Sequence, residues 1–156
     1  MPRYVIWVPT APKFIDGFFE LAPVSSSDVV FDLGSGDGRL LFAALDKGAG
    51  RCVGIDIDPK KVSEANELAE SSGIADKVVF IEGDFLERDL SEATLILCYL
   101  FPEALIALRS KFESELKTGT RIVSEAFSVP KWKETLTREI NHKRFNLYFM
   151  PPEPGD

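Results

Sequence analysis

This sequence predicts an α/β fold built on a doubly wound, mostly parallel sheet, and three observations carry that prediction. Short apolar runs of four or five residues recur along the chain, each followed by a segment with apolar residues at helical spacing. The first run ends in a cluster of glycines, Gly34, Gly36 and Gly38. Towards the end the alternation stops, and two strand-like stretches flank a polar tetrapeptide, which predicts a C-terminal antiparallel hairpin added to the sheet.

Taken in order, Thr10 to Leu21 reads as an amphipathic helix with Phe14, Ile15, Phe18 and Phe19 buried, ended by Pro23. Val29 to Leu33 is the first buried strand. Arg39 to Lys47 follows as a helix, with Leu40, Leu41, Ala44 and Leu45 on one face and Gly48 and Gly50 stopping it. Cys52 to Asp56 is the second strand. The next helix has Asp58 as N-cap, Pro59 in its first turn, a stripe of Val62, Ala65, Leu68 and Ala69, and Gly73 at its end. Val78 to Ile81 is the third strand, closed by Gly83-Asp84-Phe85, and Thr94 to Cys98 the fourth. Pro102 opens a helix whose Leu105, Leu108, Phe112 and Leu116 share a face, and Arg121 to Ser124 is the fifth strand. Leu136 to Ile140 and Phe145 to Met150 form the hairpin around Asn141-His142-Lys143-Arg144, with His142 a turn residue. The arrangement is Rossmann-like, and ligands on such sheets bind beyond the carboxyl ends of the strands, where the strand order reverses.

Composition narrows the function. A chain of 156 residues, 45% hydrophobic and 28% charged, fits one domain spanning 1–156 with a single core. Eighteen Lys and Arg against 25 Asp and Glu give a net charge of −7, which weighs against nucleic acid as a partner. The longest apolar run, Ala93 to Pro102, is too short to span a membrane, and Tyr4 to Val8, stopped by Pro9, does not make a signal peptide. Cys52 and Cys98 lack metal-ligand spacing and read as buried free thiols of a reducing compartment, so a cytoplasmic location is expected. With His142 the one histidine, zinc sites and Ser-His-Asp triads fit poorly, and no metal is expected.

The strongest motif is Asp32-Leu33-Gly34-Ser35-Gly36-Asp37-Gly38-Arg39. Its glycines let backbone turn tightly and approach a ligand where a Cβ would clash. A dinucleotide loop wants G-x-G-x-x-G/A, with pyrophosphate on the helix N-terminus. Here Arg39 holds the third-glycine position and the glycine comes one residue early, which suits a ligand without pyrophosphate. Asp56 follows Gly34 by 22 positions, close to the spacing for a carboxylate that accepts from both ribose hydroxyls. Asp58 competes for that role but is occupied as an N-cap. After strand three, Asp84 is a candidate acceptor for an adenine amino group and Phe85 a packing surface for the base.

Together these elements resemble the class I S-adenosylmethionine-dependent methyltransferases over nearly the whole chain. The resemblance implies the class I methyltransferase fold and S-adenosyl-L-methionine as cofactor. It implies that Asp32 and the loop at Gly34, Ser35 and Gly36 hold the methionine part, Asp56 the ribose, Asp84 and Phe85 the adenine, with Ile57 against the adenine face. Trp7-Val8-Pro9-Thr10-Ala11-Pro12, the Gly-Asp-Gly-Arg loop, Leu90 to Thr94 and Lys117 to Ser124 are similar to a narrower group, the archaeal-type protein-lysine methyltransferases. Mitochondrial relatives of that group methylate a lysine of an ATP-synthase subunit. The resemblance implies that Pro9 and Thr10 fold over the cofactor, making residues 1–23 an N-terminal lid and helix; Thr10 is also a good N-cap. In the archaeal pattern an acidic residue directly precedes Phe127, where this chain has Ala126, with Glu125 one position earlier.

A protein substrate presenting a lysine side chain is therefore the leading expectation. The exit of strand four, Cys98-Tyr99-Leu100-Phe101-Pro102, lacks the Asn/Asp-Pro-Pro-aromatic motif of enzymes that methylate base amino groups. Methyl transfer from a sulfonium asks mainly for placement and exclusion of water. A lysine must also lose its proton, which an apolar aromatic pocket favours. Tyr4, Trp7, Tyr99, Phe101, Phe127 and Trp132 are candidates for that pocket, with Tyr99 best placed, and Glu125 is a candidate to orient the amine. Tyr99 and Glu125 are thus the expected catalytic pair. The alternatives are a small-molecule N- or O-methyltransferase on the same fold, a nicotinamide-dependent oxidoreductase, which the loop spacing disfavours, and a cofactor-binding module without catalysis.

Overall fold

The computed structural model describes residues 12–156, with side chains described from residue 15 onward. Expectations for Tyr4, Trp7, Pro9, Thr10 and the Phe14 side chain lie outside the described residues.

Helix α1 (Pro12–Leu21) precedes the sheet. Strands β1 (Val29–Leu33), β2 (Arg51–Asp56) and β3 (Val78–Glu82) alternate with helices α2 (Arg39–Asp46) and α3 (Pro59–Ser71). Strands β4 (Leu95–Cys98) and β5 (Arg121–Glu125) flank helix α4 (Pro102–Glu115). The chain continues through β6 (Trp132–Lys133), β7 (Leu136–Ile140), β8 (Lys143–Phe149) and β9 (Glu153–Pro154).

Seven strands form the main sheet in the order β3-β2-β1-β4-β5-β8-β7. The first five in that order are parallel, β8 runs antiparallel to β5, and β7 antiparallel to β8. The order reverses between β1 and β4, and this follows from where the helices bury their apolar faces. Ile15 and Phe18 of α1, Leu41 and Ala44 of α2, and Val62 and Ala65 of α3 share one core cluster. Leu105, Leu108 and Phe112 of α4 belong to the other. Alternate residues of β1 feed the two sides: Val30 enters the first cluster, Phe31 and Leu33 the second. Asp32 therefore faces the side of α1 and α2.

The ends of the expected elements moved for identifiable reasons. Asp58 caps α3 as expected, accepting from the N–H groups of Lys60 and Lys61. Thr94 lies just before β4, its backbone still bonded to Val29 and Arg121. Its hydroxyl accepts from the Val29 N–H at 2.9 Å and donates to Asp28 at 2.7 Å. The Asp28 carboxylate also takes Arg121 at 3.1 Å, which clamps the amino ends of three strands. The hairpin turn has two residues where four were expected. Asn141 and His142 both adopt positive φ (53° and 64°), the geometry of a twist-matched two-residue turn, so β8 begins at Lys143. The small β6–β9 ribbon was not anticipated.

Trp132 is core, packed against Phe112 and Tyr148 with its indole N–H donating to Glu113. Cys52 and Cys98 are both free and buried, and burial pushes both thiols up to about 12. Among the described residues no helix is long and apolar enough to cross a membrane.

Candidate functional site

Beyond the carboxyl ends of β1 and β4, at the switch in strand order, the chain forms an open cavity of about 400 Å³, within the range of small-molecule sites. Asp32, Gly34, Ser35 and Gly36 line it from the β1–α2 loop, Tyr99 from the exit of β4 and Glu125 from the end of β5. Ile15 and Phe18 of α1 add apolar surface, while Asp37, Arg39, Leu40 and Lys61 complete the lining.

The loop is shaped for a ligand. Gly34 and Gly36 take positive φ of 89° and 55°, and a Cβ on Gly36 would meet no atom within 4 Å. Backbone conformation therefore demands that glycine, and open space lies beside it. Ser35 Oγ is buried without a hydrogen-bond partner among the described residues, a polar atom still owed a contact. Its place depends on Gly54 in the middle of β2, where a Cβ would fall 2.8 Å from the Ser35 Cβ and 2.6 Å from the Phe80 ring. That dependence is visible only once β2 lies beside the loop.

Charge in the cavity is mainly acidic. Burial, reinforced by Asp56 and Asp37, raises the Asp32 carboxyl to about 7. A ligand ammonium beside it would restore the charged form. Asp37 and Arg39 satisfy each other at 2.7 Å. Burial also raises Glu125, opposed by the Lys143 ammonium 3.6 Å away.

The expected ribose and adenine residues do not line the cavity itself. Asp56 stands at the end of β2, one carboxylate oxygen accepting from Gly36 and the other from Asp58. Those two bonds fix its orientation and leave lone pairs for further donors. Ile57 is 77% exposed directly after it, an apolar side chain left uncovered at a strand end. Asp84 lies next to this pair, since the Gly83 N–H donates to the Asp56 carbonyl, and one Asp84 oxygen accepts from Leu86. Phe85 is half-buried against the α4 side of the core.

At the other end of the site, Tyr99 stacks nearly parallel to Phe127, with ring centroids 6.4 Å apart, and Phe101 tilts against Phe127 at 5.5 Å. Tyr99 and Phe101 are 59% and 67% exposed, unusual for neighbouring aromatic rings with no binding role. Ala126 turns the chain between Glu125 and Phe127. It sits at φ 70°, and the Phe127 N–H donates back to the Glu125 carbonyl at 2.8 Å. This tight three-residue turn is a strained one for a residue with a side chain. It sends Glu125 and Phe127 to the same end of the sheet. Sequence gave no sign of it, because alanine carries no turn preference. Among the described residues no group of three or more His, Cys, Asp or Glu is arranged to hold a metal ion.

Comparison with known proteins bears on what this geometry serves. A family model described as the ANTKMT methyltransferase domain matches residues 32–136. The chain is 36% identical to a protein-lysine N-methyltransferase of Saccharolobus islandicus (strain REY15A), over 93% of this chain and 92% of that one. It is 33% identical to the adenine nucleotide translocase lysine N-methyltransferase of Mus musculus, over 65% of this chain but 44% of the longer mouse protein. Among solved structures it is similar to one described as an RNA methyltransferase from Salinibacter ruber in complex with S-adenosyl-L-homocysteine. The TM-score is 0.84 at 38% identity, covering 88% of this chain and 90% of that one.

Proposed function

Because the chain belongs to the ANTKMT methyltransferase-domain family, an S-adenosylmethionine-dependent group with the class I fold, we propose that it methylates lysine side chains of protein. One observation carries the choice of acceptor: Tyr99 and Glu125, from the ends of two adjacent strands, open onto the same cavity as the glycine loop and Asp32. An aromatic ring and a carboxylate there suit a long apolar stem with a basic tip.

The bound cofactor supplies an already activated sulfonium methyl; the chain's own residues bind, orient and exclude water. In this reading Asp32 meets the cofactor's ammonium, and the Gly34-Ser35-Gly36 backbone carries its methionine part. Asp56 accepts from the ribose hydroxyls, Ile57 and Phe85 flank the adenine, and Asp84 accepts from its amino group. Pro9 and Thr10, within the N-terminal 1–23, would cover the cofactor. The Tyr99, Phe101 and Phe127 rings form the mouth through which the acceptor enters. Neutralising a lysine of ordinary pKa near pH 7.4 costs roughly 4 kcal/mol, and desolvation of the amine once the acceptor covers these rings offsets part of that. Cation–π contact with the same rings favours both the sulfonium and a methylated ammonium.

A second reading, methylation of RNA, is prompted by the Salinibacter ruber structure. The net charge of −7 and the three carboxylates on the cavity wall weigh against a polyanion there. We also propose a cytoplasmic location, on the two buried thiols. The deciding experiment offers the protein a cell lysate and methyl-labelled S-adenosylmethionine. Label in discrete protein bands, mapped by mass spectrometry to lysine, supports the proposal; label in the RNA fraction, in small metabolites or on another residue type ends it.

A further inference from the structure

We propose that Lys143 is a positioning residue for the acceptor amine: by pairing with Glu125 at the acceptor end of the cavity, it makes an incoming lysine meet a neutralised carboxylate. The inference rests on the lysine reading of the site and deepens it.

The geometry is built by the hairpin. The two-residue turn at Asn141 and His142 starts β8 at Lys143, and Phe145, two residues on, lies opposite Glu125 in the β5–β8 register. Lys143 Nζ thereby reaches 3.6 Å from Glu125 Oε2. The Glu125 side chain is nearly enclosed, and that of Lys143 about one-third exposed. A pair so placed is shielded from solvent on the carboxylate side, where charge interactions are strongest. The other charged groups on the cavity wall are Asp32 from β1, Asp37 and Arg39 from the loop and α2, and Lys61 from α3. Helix α1 contributes apolar Ile15 and Phe18 there, and Arg39 is engaged by Asp37.

A bare carboxylate beside an acceptor lysine would do the wrong thing. Opposite charge favours the ammonium form, which has no lone pair, and so raises the cost of making a nucleophile. With Lys143 beside it, the Glu125–Lys143 pair carries no net charge, and a second ammonium would sit beside a cation. The acceptor then gives up its proton more readily, while a Glu125 oxygen still offers a hydrogen-bond acceptor to hold the amine. Burial alone drives Glu125 towards its neutral acid, and the Lys143 charge works in the opposite direction.

The test compares wild type with Lys143→Met and Lys143→Arg, each checked for an unchanged cooperative melt. The first readout needs no substrate. In protein carrying carboxyl-labelled glutamate, with the Glu125 resonance assigned by its loss in Glu125→Gln, NMR titration should show Glu125 at higher pH in Lys143→Met by about half a unit or more and unchanged in Lys143→Arg. The second is methyl-lysine formation in lysate protein from methyl-labelled S-adenosylmethionine. In Lys143→Met the alkaline limb should move to higher pH by about half to one unit, with the rate of methyl-lysine formation near pH 7.5 down about three- to tenfold at equal lysate and enzyme concentration. Lys143→Arg should stay near wild type. An unchanged Glu125 titration or an unchanged pH limb overturns the inference. Absence of methyl-lysine from the wild-type reaction would instead overturn the lysine reading, with the titration still deciding whether the pair sets the charge of Glu125.

Discussion

Asp56 accepts the Gly36 N–H at 2.8 Å, tying the glycine loop of β1 to the end of β2 through a side chain that also holds the Asp58 N–H at 2.9 Å. The residue expected to bind ribose is thus also a brace for the loop expected to bind the methionine part. Asp56→Ala should therefore lose more than ribose contacts. We expect S-adenosylhomocysteine affinity to fall by about 1–3 kcal/mol in calorimetry, with a lower melting temperature as well. NAD should show no binding to wild type, and comparable NAD affinity would contradict the cofactor.

Gly54→Ala tests the packing beneath the loop. An added Cβ would collide with the Ser35 Cβ and the Phe80 ring, at 2.8 and 2.6 Å. Overpacking of this kind costs about 1–3 kcal/mol. Because one of the two neighbours is in the loop, cofactor affinity should fall along with stability. A variant that melts lower but binds S-adenosylhomocysteine at wild-type strength would show that Ser35 yields without disturbing the cavity.

Asp32 predicts a pH dependence of unusual sign. Its folded carboxyl titrates near 7, above the ordinary value of 3.8. Between those values the folded chain binds more protons than the unfolded one, so this residue's contribution falls as pH rises from about 4 to about 7 and is flat above. The loss is on the order of 2–4 kcal/mol. Asp32→Asn should remove that decline and raise the melting temperature of the ligand-free protein at neutral pH. A ligand ammonium would pull the carboxyl back to its charged form, so S-adenosylhomocysteine binding near pH 6.5 should release a proton. Calorimetry in buffers of different ionisation enthalpy reads that proton, and a buffer-independent enthalpy would count against the contact.

Tyr99→Ala removes the ring stacked on Phe127. Transfer should drop by at least tenfold, while S-adenosylhomocysteine affinity stays within about twofold, since the ring's proposed partner is the acceptor. Equal losses in both measurements would instead make Tyr99 part of the cofactor cradle.

The parallel sheet could be read from the chain because its central strands are buried on both faces and therefore mostly apolar, as Val29–Leu33, apolar but for Asp32, and Leu95–Cys98 show. Where side chains do not decide the structure, the sequence was silent. Asn141-His142 lacks the glycine that usually marks a two-residue hairpin turn, so the connection read as four residues. Trp132–Lys133 and Glu153–Pro154 are too short to show a period. In the site, the glycine loop, Tyr99 and Glu125 were legible as strand-end residues, and the sheet order brought them to one cavity. That Asp56, Ile57, Asp84 and Phe85 stand apart from its lining depends on distances across the sheet, which linear spacing does not encode.

The burial of Cys52 and Cys98 has a practical consequence. A thiol that titrates near 12 is almost entirely protonated at neutral pH, and maleimides and iodoacetamides react with thiolate. The native chain is accordingly a near-silent background for site-directed labelling. A single cysteine introduced at Ile57, 77% exposed beside the ribose residue, would take one fluorophore and turn the protein into an optical reporter of its own ligand occupancy.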